Sequence, residues 1–303
     1  MRINNNIPAL NTHRMLNINT DGLQKSLERL SSGKRINRAS DDAAGLAISQ
    51  KMEAQVRGLR QASRNALDGV SLIQTAEGAL NEVHSMLQRM RELSVQGANG
   101  VYAKDDVEAL ANEIKELTEQ IDKIAKETEF NGIPLLRGSL DTGGPSGTPL
   151  TSLRLQIGAN ESQYIEIDMI DINIQVGDLG ITGIGDFIVQ NLEPNPNATP
   201  KLSISNPLTQ DLFNIGIGIY DKAVQDVSAM RSKLGAFQNR LEHTIRNVDN
   251  TAENLTASKS RIEDLDMAKE MSEFTKLNIL QQAGTSMLSQ ANQLPQSVLQ
   301  LLQ

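Results

Sequence analysis

Apolar residues recur every seven positions through both ends of this chain. Toward the C-terminus they fall at Val227, Leu234, Leu241, Val248, Leu255 and Ile262. Toward the N-terminus they fall at Met52, Leu59, Ala66, Ile73, Leu80 and Leu87. A repeat of seven keeps an apolar stripe on one side of a slightly underwound helix, and such a stripe needs another helix over it. A leucine-sized side chain left in water forfeits roughly 1.5–3 kcal/mol. The amphipathic stretches at 1–137 and 208–303 are therefore expected to pair. The predicted fold class is mainly α: an elongated antiparallel helical bundle or coiled coil built from both chain ends, a rod rather than a globule, with a small central β-hairpin region.

The same patterning places the individual elements. Residues 3–30 read as a first helix, with Ile3, Ile7, Leu10, Leu16, Leu23, Leu27 and Leu30 on one broad face. Gly33 stops it, since glycine accepts the left-handed conformation that ends helices. Ser40 is the predicted N-cap of a second helix over 41–97, with Asp41 and Asp42 in its first turn, where the helix dipole favours anions. Ala62, Gly69, Ala76 and Gly97 are small residues that permit close helix approach. A third helix over 104–128 alternates three- and four-residue steps through Val107, Leu110, Ile114, Leu117, Ile121, Ile124 and Thr128. It is expected to fold back antiparallel on the second, and Phe130-Asn131-Gly132 breaks it.

In the middle, Leu153, Leu155 and Ile157 alternate with Arg154 and Gln156, and Ile165, Ile167 and Met169 alternate with Glu166 and Asp168. Separated by residues 158–162, the two runs predict a hairpin with one apolar face. Residues 173–207, with four prolines, read as loops with at most short strands. Helix resumes over 208–254, and a last amphipathic helix covers 258–293, ended by Leu294-Pro295 and a short apolar tail, Val298-Leu299-Gln300-Leu301-Leu302.

Composition narrows what such a bundle can do. With no Trp, five Phe and three Tyr, the core is expected to be built from aliphatic seams rather than aromatic residues. There is no Cys, which excludes disulfides, thiolate metal sites and cysteine nucleophiles. No run approaches 18 apolar residues, so no membrane span is expected. The N-terminus lacks the apolar core of a secretory signal. Of the formal net charge of −8, residues 138–220 carry −7, leaving the helical ends nearly neutral with mixed signs. No basic stripe with interleaved aromatics occurs, which argues against nucleic-acid binding.

Several exact strings carry a family resemblance. The chain opens Arg2-Ile3-Asn4-Asn5-Asn6-Ile7-Pro8-Ala9-Leu10. It continues with Leu30-Ser31-Ser32-Gly33-Lys34-Arg35-Ile36-Asn37, Asp41-Asp42-Ala43-Ala44-Gly45-Leu46-Ala47-Ile48, and Leu72-Ile73-Gln74-Thr75-Ala76-Glu77-Gly78-Ala79-Leu80. Near the end stand Gln238-Asn239-Arg240-Leu241-Glu242 and Met267-Ala268-Lys269-Glu270-Met271-Ser272. Six strings in this order resemble bacterial flagellin, in a short form without large outer domains. Gln156-Ile157-Gly158-Ala159-Asn160 is also similar to the hairpin of the flagellin rod domain.

The resemblance implies a structural subunit that self-assembles into the extracellular flagellar filament for motility, with no enzymatic activity and no cofactor. It implies that residues 1–45 with 258–303 line the inner tube. Residues 46–257 would form the rod domain, with helices 46–128 and 208–254 and a β/loop region at 138–207. It implies unfolded export through the flagellar type III apparatus. The implied partners are other copies of the chain, a flagellin export chaperone, the filament cap protein and the hook–filament junction protein. Candidate assembly positions are Ile3, Ile7, Leu10, Leu23, Leu27, Leu288, Leu299 and Leu302.

Candidate chemistry is sparse. His13, His84 and His243 lie far apart with no ligand at metal spacing, and no His-Glu-x-x-His string occurs. The pairs Asp41/Asp42 and Asp105/Asp106 sit at helix starts, where capping accounts for them. Asn160, Asn197 and Asn254 head Asn-x-Ser/Thr triplets. The segment 87–96 is more pointed: Arg89 and Leu93 are four apart and share a helix face, with Gln96 adjoining. Read from the residues alone, Leu93 is core and Arg89 a solvated flank. The resemblance instead matches this string to the segment recognised by Toll-like receptor 5, with Glu113 as a second contact. Two other readings stay open: a different axial protein such as the hook–filament junction protein, and a coiled-coil effector acting inside a cell.

Overall fold

The computed structural model describes residues 6–138, 152–168, 172–175, 177, 179–181 and 207–301, the side chains of 207–210 and 294–301 excepted. Five helices dominate these residues: α1 (Ile7–Ser32), α2 (Ala43–Gly97), α3 (Lys104–Glu127), α4 (Pro207–Glu263) and α5 (Met267–Leu301). Four short strands accompany them: β1 (Glu129–Phe130), β2 (Ile133–Pro134), β3 (Ser152–Gln156) and β4 (Tyr164–Asp168). They fall into two compact units, one drawn from both chain ends, up to Arg57 and from Thr251, and the other spanning Gly58–Asn250.

In the first unit α1 and α5 pair antiparallel. The Asn6 side chain caps α1 by accepting the Ala9 N–H at 3.2 Å. Gly33, at φ +69°, closes the helix by donating its N–H to the Arg29 carbonyl. Along the seam Gly284 lies against Leu16 and Gly22 against Leu277; a Cβ on either glycine would stand 3.3–3.4 Å from the leucine. The two helix breaks are bonded to each other: Arg35 N–H donates to the Glu263 carbonyl at 2.8 Å, and Leu265 N–H to the Gly33 carbonyl at 3.0 Å. The buried Glu263 carboxylate pairs there with Lys34 and, at 3.7 Å, with Lys259.

Three boundaries differ from the expected ones. The cap of α2 is Asp42, which accepts the Gly45 N–H at 2.8 Å, rather than Ser40. Asp41 instead binds the preceding turn through the Arg38 N–H at 3.1 Å, with Lys25 at 3.3 Å; these contacts hold its carboxyl below the usual carboxylate range. α4 runs on to Glu263, because 255–257 contains no helix breaker, and the break comes where Asp266 caps α5 through the Ala268 and Lys269 N–H groups. Finally, α5 continues through Pro295 to Leu301 instead of ending at Leu294.

The second unit holds the core. Ile73, Leu80 and Leu87 of the expected α2 stripe, and Val227, Leu234 and Leu241 of α4, are buried, as are Ile114 and Ile121 of α3. Val107, Leu110, Leu117 and Ile124 pack partly buried against them. The seven-residue stripe of α4 extends two repeats further back, to Tyr220 and Phe213, both fully buried. Aromatic residues, few as they are, thus take part in the core, contrary to the reading from composition. Phe213 fits because Gly97 has no side chain: a Cβ there would meet the ring at 2.6 Å.

Asn131 (φ +52°) and Gly132 (φ +76°) do more than break α3. Two consecutive left-handed residues make a tight two-residue turn, and β1 and β2 pair across it. The expected central hairpin forms as β3 and β4, with Leu153 opposite Ile167 and Leu155 opposite Ile165. Its apolar face packs on α2, where Leu155 occupies the space that a Cβ on Gly69 would take, at 2.6 Å. On the outer face Arg154 stacks over Tyr164 at 4.7 Å and pairs with Glu166 at 3.3 Å. Met169 and most of 173–207 lie outside the described residues.

The helical glycines give opposite expectations. Gly97→Ala forces the Phe213 ring aside, an overpacking cost of about 1–3 kcal/mol. Gly78, with nothing within 4 Å of a built Cβ, gains roughly 0.5–1 kcal/mol of helix propensity on the same change. Thermal unfolding of the free chain is expected to move down for the first and up for the second; equal shifts would refute the packing at Gly97. Tyr220 is a separate case: burial pushes its phenol pKa up, and its hydroxyl has no partner among the described residues. Tyr220→Phe removes an unsatisfied buried group, so its urea midpoint is expected to hold or rise.

Candidate assembly and recognition surfaces

In the first unit, α1 and α5 bury one side on each other and leave apolar side chains on the rest. Ile7, Leu10 and Leu27, three of the candidate assembly positions, are more than half exposed, Leu10 at 65 %. Leu23 and Leu288 are half-buried. Ile3 and Leu302 lie outside the described residues, and Leu299 is described only as helical backbone. Met15, Ile18, Ile279 and Met287 are equally exposed and were missed in the sequence because they lie off the main stripe. Helices apolar on more than one side call for more than one neighbour. At roughly 25 cal/mol per Å² of apolar surface removed from water, these side chains are a large reserve of association energy.

The second unit carries the polar candidate. α2 presents Arg89 and α3 presents Glu113, separated by 24 residues in sequence and joined by the fold. Arg89 Nε and Nη2 each reach the same Glu113 oxygen at 2.9 Å, while Nη1 lies 3.6 Å from Glu92. Glu113 foremost raises the Arg89 pKa above its ordinary value. Both partners are about half exposed. Gln96 is exposed one helical turn beyond Glu92.

Leu93 sits differently. It is 1 % exposed, in a buried row with Met90, Ser94 and Gly97, and the Ser94 hydroxyl donates to the Met90 carbonyl at 2.9 Å. A four-residue step turns an α-helix by about 40° past a full circle, enough to separate the outward Arg89 from the inward Leu93. The surface open to a partner is therefore Arg89, Glu92, Glu113 and Gln96, with Leu93 beneath it.

His13 and His84 each make a side-chain contact one turn along their own helix, to Asn17 and Gln88 respectively. No group of three or more His, Asp or Glu side chains with metal-site geometry occurs among the described residues. No described helix is long and apolar enough to cross a membrane.

Comparison with known proteins fits this geometry. Residues 3–141 match the family described as the bacterial flagellin N-terminal helical region, and residues 217–302 match the bacterial flagellin C-terminal helical region. The chain is 52 % identical to a flagellin of Bacillus subtilis and 50 % identical to one of Halalkalibacterium halodurans, covering all of both chains in each case. Among solved structures, one assigned to a flagellar hook-associated protein of Vibrio parahaemolyticus shares the fold at a TM-score of 0.57. That match is 17 % identical and covers 74 % of this chain and all of the other. The two matched regions together take in the helices of both ends and most of both units: this chain belongs to the bacterial flagellin family.

Proposed function

We propose that this chain polymerises into an extracellular flagellar filament, and that its free form is recognised by Toll-like receptor 5 through the surface around Arg89. The family is one of structural filament proteins rather than enzymes, and relatives aligned end to end carry flagellin names. The observation that carries the polymer reading is the apolar surface of α1 and α5. Ile7, Leu10, Ile18, Ile279 and Met287 are all more than half exposed on helices that already use their mutual seam. Further copies of the chain supply the missing cover, and that burial offsets the entropy of ordering both ends.

Delivery follows from the same reading. A cysteine-free chain suits export in unfolded form by the flagellar type III apparatus. An export chaperone would shield the apolar C-terminal helix, the cap protein would receive the chain at the growing tip, and the hook–filament junction protein would provide the first template. The receptor reading rests on the resemblance of residues 87–96 and on an exposed guanidinium held in place by Glu113. A pre-set arginine fork loses little freedom when a partner binds it.

Two measurements test these readings. Truncation after Asn292 removes the last turns of α5 and leaves the second unit intact. Elongation from filament seeds is expected to fall sharply while thermal unfolding of that unit stays put; wild-type elongation by the truncated chain would refute the role of the tail. For recognition, Arg89→Ala is expected to lower receptor signalling by the free subunit roughly tenfold or more. Leu93→Ala is the poorer probe, since emptying a buried leucine site costs about 2–5 kcal/mol and perturbs the surface indirectly. Undiminished signalling by a folded Arg89→Ala subunit would place the epitope elsewhere.

A further inference from the structure

A proline inside a helix leaves a carbonyl without its usual donor. In α5, Pro295 has no N–H to offer the carbonyl four residues back, that of Ala291. That carbonyl is not left open: Asn6 Nδ2 donates to it at 2.8 Å, across 285 residues of chain. The same Asn6 side chain uses its other atom, Oδ1, to accept the Ala9 N–H and cap α1. One amide therefore starts one terminal helix and fills the gap in the other. Ala291 is buried at the point of contact.

The rest of the α1–α5 seam is far less discriminating. At its glycines the seam is apolar, Gly22 against Leu277 and Gly284 against Leu16. Among the described residues no other side-chain hydrogen bond or ion pair joins the two helices. At the opposite end the paired breaks at Gly33–Arg35 and Glu263–Leu265 fix the helices. Some 25 residues further along, Asn6 supplies the one side-chain hydrogen bond between α1 and α5 among the described residues.

We propose that Asn6 is a positioning residue for the terminal helix pair, recognising the acceptor that Pro295 vacates, so that α1 is capped and docked on α5 by a single side chain. Pro295 in this reading is a specificity element rather than a helix terminator. The proposal concerns folding of the pair and is independent of receptor recognition.

Two substitutions separate docking from capping. Asn6→Asp keeps an oxygen to cap α1 but has no donor for Ala291. Pro295→Ala restores the main-chain donor, which favours α5 as an isolated helix yet competes for the Ala291 carbonyl. Hydrogen exchange is measured on the full-length chain, as soluble subunit and as seeded polymer. In both variants the amides of residues 9–13 are expected to exchange roughly three- to tenfold faster than in the parent, the effect of one hydrogen bond. Amides around Gly22 and Leu277 serve as the control and are expected to keep their parental rates. Faster exchange at 9–13 in Pro295→Ala supports the proposal, because a purely local account gives no reason for α1 to respond. Unchanged exchange at 9–13 in Asn6→Asp would overturn it, as would protection of those amides in neither form of the parent, or equal acceleration at the control sites.

Discussion

Everything in this molecule hangs on apolar seams whose two sides come from opposite ends of the chain. α2 and α4 supply stripes with a seven-residue repeat, and α1 and α5 supply a looser apolar contact. α3 covers part of α2 from nearby in sequence, but the α4 side of the core comes from far along the chain. The chain must therefore return upon itself before its main hydrophobic contribution is realised. The strands and the central segment are arranged around that return: β3 and β4 lie on α2 only because Gly69 leaves space for Leu155.

Periodicity was a good guide wherever one side of an element is buried and the other wet. α3 is the clearest instance, its three-four spacing reappearing as a buried row flanked by half-buried residues. The central hairpin is another, since alternation leaves a single sensible register. Helix ends were harder. A break is decided by one or two polar side chains, and Asp42 and Asp266 do this work in competition with neighbours of similar chemistry. The aromatic part of the core went unread because a count of rare residues says nothing about where they stand; Phe213 and Tyr220 simply continue the stripe.

The surfaces were legible only in outline. Ile7, Leu10 and Leu27 announced themselves by hydrophobicity on helices with little else to cover. Met15, Ile18, Ile279 and Met287 did not, because an apolar residue off the stripe looks like noise until the partner helix is in place. The ion pair of Arg89 with Glu113 needs a fold to exist at all, whereas the division of Arg89 from Leu93 follows the reading from the residues alone, with Leu93 buried and Arg89 half exposed. The Asn6 contact is further removed still. It depends on a hydrogen bond that a proline fails to make, 285 residues away along the chain.

The mutual bonding of the two helix breaks has a consequence for the order of events in synthesis. Gly33 and Arg35 are made well before their main-chain partners, Leu265 and Glu263, which lie 232 and 228 residues further along the chain. A nascent chain has nothing for this turn to bond to until residue 265 exists. Closing so long a loop is slow and costs entropy before it returns any contact energy. However quickly the residues between them collapse, this turn stays open until Glu263 and Leu265 have been made.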